Sequence, residues 1–480
     1  MLFVSTLAVF MASLDGNIVT VALPKISVDL SAGFSYLAWI VTGYLIALVA
    51  LVILFGKMAD VYGRKKIYIL GFILFGATSA LCGLSQNASE LVVFRFLQGG
   101  SAALFFAVSR PILLENFPAK EISFAFGVNT ATSSIGAVMG PLVGGLLVAI
   151  DWRLIFFVNV PIAIVASALA LREVPRGVRK PGSESALKTF NPLSSVLFII
   201  GISLIMAWLT FYDPIVGLLG IAVLVPFIVS EMKSKHPLVN RELVRNKGFV
   251  YSLLSVELLT IGYSGIIVAM TFYFQSVENY SPAYSGLLIV PISLTIGIGS
   301  VTAGRIYGRI RNPNRLAVIG ALLCGGALFA VAIGIGAETS LWVLEPTLAL
   351  IGLATGLYWI PLLTTAMKFP SPDIVGTTSG TFSMFVNMAS ALSITIAVAL
   401  SAYFLPHSLA TQVYSGGLVN LPLAEAKLFR MGIESAILVM GAFNIASVPL
   451  IYTVMKEQRR SKAQTDIIVS EETVKPQQEP

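Results

Sequence analysis

About 20 consecutive apolar residues are needed for a helix to cross a bilayer, and this chain carries fourteen such runs. They fall near 2–24, 36–56, 67–86, 89–112, 121–149, 152–171, 193–211, 214–231, 249–274, 283–304, 315–337, 341–367, 374–405 and 431–455. Backbone polar groups cannot go unpaired in hydrocarbon, so the runs must be helices. A large water-soluble core is excluded by composition. Of 480 residues, 56% are hydrophobic and 11% charged, with a mean hydropathy of +0.87, whereas a soluble domain is about 25% charged. The predicted class is an all-α polytopic membrane protein.

The net charge is +7 and the isoelectric point about 9.3. In a soluble chain that would suggest nucleic acid, but no basic, aromatic-interleaved domain is present. The positive residues lie in short loops between the apolar runs. One alternate set holds Lys57, Arg64, Lys65, Lys66, Lys120, Arg172, Arg176, Arg179, Lys180 and Lys188. The same side continues with Lys233, Lys235, Arg241, Arg245, Lys247, Arg305, Arg309, Arg311, Arg315 and Lys368, then Lys456 to Lys475 in the tail. The opposite set has Lys25, Arg153, Lys427 and Arg430. This bias places the rich side, and both termini, in the cytoplasm of a cell-membrane protein. Trp39, Trp152, Trp208 and Trp342 fall at the opposite ends, where an aromatic belt is expected, while Trp359 lies deep in its run. Cys82 and Cys324 sit inside apolar runs, and His236 and His407 in distant loops. No disulfide, metal site or cofactor is expected from them. Run 2–24 lacks a charged leader and a small-residue cleavage site, so it reads as a retained helix with a few natural residues expected before Met1.

The longest loops on the basic side, near 172–192 and 232–248, bracket a pair of runs. The chain therefore divides into an N-terminal six-helix bundle (1–171) and a linker (172–248) carrying an inserted hairpin (193–231). A C-terminal six-helix bundle (249–455) and a polar tail without fixed structure (456–480) complete it. GKMADVYGRKK from Gly56 and GRIYGRIRN from Gly304 each follow the second run of a half, a faint internal repeat of the kind found in two-bundle transporters.

Polar residues inside the runs carry the functional expectations. Asp15, in MASLDGNIVTVALP, would cost at least ~2.5–3.5 kcal/mol at mid-membrane, so it needs a partner or a task. Arg95, in LVVFRFLQGGSAA, lies at broadly similar depth by helical rise. Burial and a neighbouring arginine act in opposite senses on a carboxyl's hold on its proton. A group so balanced could load a proton on one side of the membrane and release it on the other; the structural alternative is an ion pair that never titrates. Glu257, about 12 Å into its run, is a candidate for a cationic substrate or a second proton. Gln98, Asn17, Tyr44 and Asn387 join it as candidate substrate-binding residues. In GAVMGPLVGG, Gly136, Gly140 and Gly144 share one helix face, and Pro141 and Gly145 bend or loosen the same segment. In GKMADVYGRKK, Gly56 and Gly63 permit a tight connection, and Asp60 and Arg64 are spaced to pair.

GKMADVYGRKK resembles motif A of the major facilitator superfamily through Gly56, Asp60, Gly63, Arg64 and Lys65, and the Arg95–Gln98–Gly99 stretch resembles its motif B. GxxxGPxxGG (Gly136, Gly140, Pro141, Gly144, Gly145) resembles the antiporter motif. With DWRLIFFVNVPI (151–162) and LDGNIVTVALP, where Asn17 and Thr20 replace the usual Thr and Asn, the chain resembles the fourteen-span drug:proton antiporter group. FYFQ and YSPAYSGLLIVP (272–291) add a weaker match. The resemblance implies two six-helix bundles plus an inserted helix pair, a monomer, and rocking alternating access. It gives Asp60 and Arg64 a conformational role, and implies export of small amphipathic, cationic drugs against protons. The alternative is a dedicated exporter of an endogenous metabolite or anion. No GxxxxGK[ST] motif occurs, so ATP is not the expected drive. A multispan membrane enzyme would need converging His, Asp or Ser, against which the two distant histidines argue.

Overall fold

The structure, a computed structural model, describes all residues except 33, 176–191, 212, 235–236, 311, 372–373, 407–408, 411–420 and 475–480. Arg176, Arg179, Lys180, Lys188, Lys235, Arg311, Lys475, His236 and His407 lie outside the described residues. Among the described residues there are helices and no strands. In chain order the helices of the first half are α1 (Leu2–Asp29), α2 (Phe34–Tyr62), α3 (Arg64–Leu84), α4 (Ala88–Asn116), α5 (Ile122–Val148), α6 (Leu154–Phe157) and α7 (Asn159–Glu173). There follow α8 (Pro192–Phe211), α9 (Pro214–Lys233), α10 (Arg241–Arg245), α11 (Lys247–Ile261) and α12 (Ile266–Phe272). The last are α13 (Pro282–Tyr307), α14 (Asn314–Gly336), α15 (Leu341–Lys368), α16 (Val375–Ala402) and α17 (Leu423–Val474).

Thirteen of these segments are long and apolar enough to span a bilayer, and Leu193–Leu209 forms a shorter apolar helix where the seventh run was expected. Local chemistry sets several starts. The Asn87 side chain accepts from Glu90 N at 2.9 Å while Glu90 accepts from Gln86 N at 2.8 Å, a reciprocal cap for α4. Asp213 caps α9 ahead of Pro214. Large aliphatic side chains such as Leu142, Leu146, Leu218 and Ile333 remain more than half exposed. Spread over so many helices, such surface is compatible with lipid and not with water.

Three expectations need revision. The sixth run is divided at Val158 into α6 and α7, and the ninth at Gly262–Gly265 into α11 and α12. Ser393 on α16 stitches the second break. Its Oγ accepts from Gly265 N at 2.7 Å and donates to Ile261 O at 2.6 Å, pairing groups that the interrupted helix leaves free. The tail expected to lack structure continues α17 as helix through Val474. Trp152, expected in an aromatic belt, is fully buried and donates to Asp29 Oδ2 at 3.0 Å.

One apolar core gathers α11 to α17 with the end of α4 and the start of α5. Another gathers α1 to α4 and α7 with the hairpin α8–α9. Close approaches between the halves lie toward the end that carries Met1. A Cβ on Gly127 would stand 2.5 Å from Ser300 O, one on Gly304 2.5 Å from Ser123 O, and one on Gly380 2.7 Å from Val52 O. Gly56 meets the Gly376 backbone in the same way. These glycines let α5 lie against α13 and α2 against α16, closing that end.

Candidate functional site

Three polar constellations stand on this frame. The first is centred on Asp15, which is completely buried. Arg95 Nη1 donates to Asp15 Oδ2 at 2.7 Å. Asp15 Oδ1 accepts from Gln98 Nε2 at 3.0 Å and from Asn159 Nδ2 at 2.7 Å. Arg95 also donates to Gln98 Oε1 at 2.7 Å and to Ile40 O at 3.1 Å, and its guanidinium sits 4.4 Å from the centroid of the Tyr44 ring. Ser79 Oγ accepts from Gln98 and Asn159 and donates to Phe156 O. Six helices (α1, α2, α3, α4, α6 and α7) thus join the network around one carboxylate, and both charges are hydrogen-bonded as well as paired, the condition under which a buried pair is tolerable.

Small residues make this meeting possible. Gly99 on α4 abuts the Tyr44 backbone on α2. The glycine face of α5 lies against α1: a Cβ on Gly136 would be 2.7 Å from Phe10 O, one on Gly140 2.8 Å from Asn17 Cβ, and one on Gly144 2.9 Å from Ile18 Cγ1. The antiporter-like stretch therefore seats the helix that carries Asp15. Gly145 faces open space, and Pro141 lies within α5.

The second constellation ties the halves together. Asp60, near the end of α2, accepts from Gly376 N at 2.9 Å and from Thr377 N at 2.9 Å. It also accepts from Thr377 Oγ1 and from Arg64 Nη2, both at 3.1 Å. No side chain of α16's own N-cap residue, Ile374, caps that helix; Asp60 does so from the other half, where a carboxylate also meets the positive end of the helix dipole. Arg64 is further paired with Glu115. Gly63 takes φ +97°, a conformation open to glycine, and turns the chain from α2 into α3. Lys65 Nζ donates to Leu171 O at 2.7 Å.

The third is a cavity of about 290 Å³ between the halves. Asn129 and Ser133 of α5, Tyr263 beyond α11, Trp359 of α15 and Asn387 of α16 are among its lining residues, with Arg110 of α4. Arg110 donates to Ser383 and lies 5.3 Å from the Phe382 ring centroid. Among the described residues no carboxylate lines this cavity.

Of the expected substrate-binding residues, Asn387 alone lines the cavity. Gln98 and Tyr44 belong to the Asp15 cluster, because their helix faces point into the first half. Asn17 is half-buried and donates to Ser13 O at 2.7 Å. Glu257 lines a separate apolar crevice of about 460 Å³ between the hairpin, α11 and α16, and its Oε1 is buried without a hydrogen-bond partner. Sequence reasoning overlooked Asn159 and Arg110. Arg110 lies about 9 Å inside the end of α4, by the depth rule that drew attention to Arg95. Trp359, the tryptophan that fitted no belt, lines the cavity.

Residues 5–394 match the Major Facilitator Superfamily, and the chain belongs to that family of transporters. It is 30% identical over 402 residues to the multidrug transporter protein MdtP of Bacillus subtilis, covering 81% of this chain and 73% of that protein. It is 32% identical over 397 residues to the puromycin resistance protein pur8 of Streptomyces alboniger, covering 80% and 78%. Against the riboflavin transporter RibZ of Clostridioides difficile it is 28% identical, covering 75% and 78%. Its fold is similar to that of the proton:xylose symporter XylE, with a TM-score of 0.66 at 13% identity, covering 94% of each chain. The chain is therefore a multi-pass membrane transporter.

Proposed function

We propose that the protein is a secondary active exporter that carries small organic compounds outward in exchange for protons. Its termini lie in the cytoplasm of a cell-membrane protein acting as a monomer. The observation that carries this reading is the Asp15–Arg95 pair, sealed from the cavity and held on α1 by the glycine face of α5. Closure of the halves at the Asp60 end gives an outward-facing arrangement under the charge-bias orientation. Rocking to the inward state separates Gly376 and Thr377 from Asp60 and moves α1 against α5, which changes the company Asp15 keeps. A carboxylate whose partners change with opening couples proton affinity to conformation. The likeness to multidrug and antibiotic-resistance transporters supports outward transport. Each charge moved across 100 mV supplies ~2.3 kcal/mol. In this reading Asp15 and Arg95 handle the proton, Asn387 meets substrate, and Asp60 with Arg64 serves as the conformational latch.

The test uses the full chain in proteoliposomes with an imposed pH gradient, reading intravesicular pH and dye movement together. Wild-type protein should move dye uphill, and a protonophore should stop it. Asp15→Asn should retain downhill exchange of dye and lose the uphill component. Uphill transport at the wild-type rate by Asp15→Asn ends the proton-carrier reading.

A further inference from the structure

Arg110 is chemically out of place. An arginine stays protonated inside proteins and carries five N–H donors. Within the membrane such a charge normally faces a partner or an aqueous path. Among the described residues no ion pair involves Arg110. Its described contacts are the Ser383 hydroxyl and the face of Phe382, which orient the guanidinium without neutralising it. The surrounding acids are spent or walled off. Asp15 is occupied by Arg95, Gln98 and Asn159. Asp60 is occupied by α16 and Arg64. Glu257 lines the crevice on the other face of the α11–α16 wall.

The cavity around Arg110 supplies neutral polar groups and aromatic surface. Asn129, Asn387 and Ser133 offer donors and acceptors, and Trp359 and Tyr263 offer flat apolar walls. We propose that this cavity takes a small aromatic compound bearing a carboxylate or phenolate, with Arg110 as its counter-charge. A planar guanidinium meets a carboxylate through two parallel hydrogen bonds, and a low-dielectric cavity strengthens the attraction relative to water. The proposal deepens the exporter reading and rests on it for direction. Its preference opposes the cationic substrate expected from sequence. An outward-moving anion exchanged for one inward proton displaces two charges per cycle, so the membrane potential drives it. A monovalent cation so exchanged displaces none.

Equilibrium binding to the full-length protein in nanodiscs, without any gradient, tests the preference separately from transport. Three probes of one shape are titrated: 2-naphthoate, 2-naphthamide and 2-naphthylmethylammonium. Wild type should bind naphthoate at least tenfold more tightly than the amide, and the ammonium most weakly. Arg110→Gln should bring the naphthoate-to-amide ratio close to one while the amide's affinity stays put, and Arg110→Lys should keep part of the preference. The proposal is overturned by undetectable naphthoate binding, by an ammonium probe that equals or exceeds naphthoate, or by a preference that survives Arg110→Gln. If Arg110→Gln does not fold, Arg110→Lys and the wild-type probe order decide. Failure of the exporter reading shows instead as absent gradient-driven transport with the probe order intact.

Discussion

Arg95 and Arg110 stand on the same helix, each about two turns from one of its ends, and they live opposite lives. Arg95 is 1% exposed and makes hydrogen bonds to Asp15, Gln98 and Ile40. Arg110 opens onto a cavity with no acid among its described lining residues. In the reading proposed above, a charge with its counter-charge built in belongs to the protein's own cycle, and a charge left without one is available to cargo. The contrast teaches that depth in the membrane does not separate the two roles, but the neighbouring helix face does.

Removing partners should break the comparison most sharply. Arg95→Gln leaves Asp15 buried without its cation, and breaking a buried pair this way costs about 3–5 kcal/mol. The double variant Asp15→Asn with Arg95→Gln should recover most of that loss, since two neutral amides can still bond to each other and to Asn159. Arg110→Gln, with no built-in partner to strand, should cost well under half as much as Arg95→Gln. Thermal unfolding in detergent ranks the three. Equal destabilisation by the two single substitutions would erase the distinction.

An intermediate effect is expected at Asp60. Its two backbone bonds to α16 are charge-assisted, each contributing about 1.5–3 kcal/mol. They exist only while the halves are closed at that end. Asp60→Asn keeps the size of the side chain and removes the charge, so it should weaken the state closed at the Asp60 end roughly tenfold or more, without unfolding either half. Spin-label distances between positions near Asp60 and near Thr377 report the population directly. An unchanged distance distribution would mean that the α2–α16 contact does not set the balance.

Much of this was legible in the sequence, and the failures have two causes, helix azimuth and long-range contact. The apolar runs marked the helices because the bilayer fixes their length. The matching depths of Asp15 and Arg95 anticipated a pair that the structure then forms at 2.7 Å. What one-dimensional spacing cannot give is azimuth. Gln98 and Tyr44 are candidate substrate-binding residues by sequence, yet a helix rotation of half a turn separates cavity from bundle interior, and both point inward to Arg95. Glu257 faces a separate crevice for the same reason, one turn away from Thr260, which does line the cavity. The division of α11 from α12 was hidden because Ser393, which stabilises it, lies more than 120 residues away.

The smallest effect comes from another arginine–carboxylate pair, Arg430 of α17 with Glu338 in the turn after α14, at the far end of the molecule. Chemically it repeats Asp15–Arg95, but Glu338 is 71% exposed. The hydrogen bond from Arg430, followed by its charge, holds the Glu338 carboxyl below the ordinary glutamate value. A carboxyl lowered on folding contributes stability above its unfolded value, near ~4.3, and that contribution fades as pH falls through the folded value. Water and salt screen a pair so placed. Arg430→Gln should therefore leave the melting temperature at neutral pH nearly unchanged and should narrow the difference between neutral and acid melting only slightly. Thermal melts of wild type and Arg430→Gln from pH 7 down to pH 3 measure both. A loss at neutral pH comparable to that of Arg95→Gln would show that the pairing itself, and not its burial, governs what these arginines contribute.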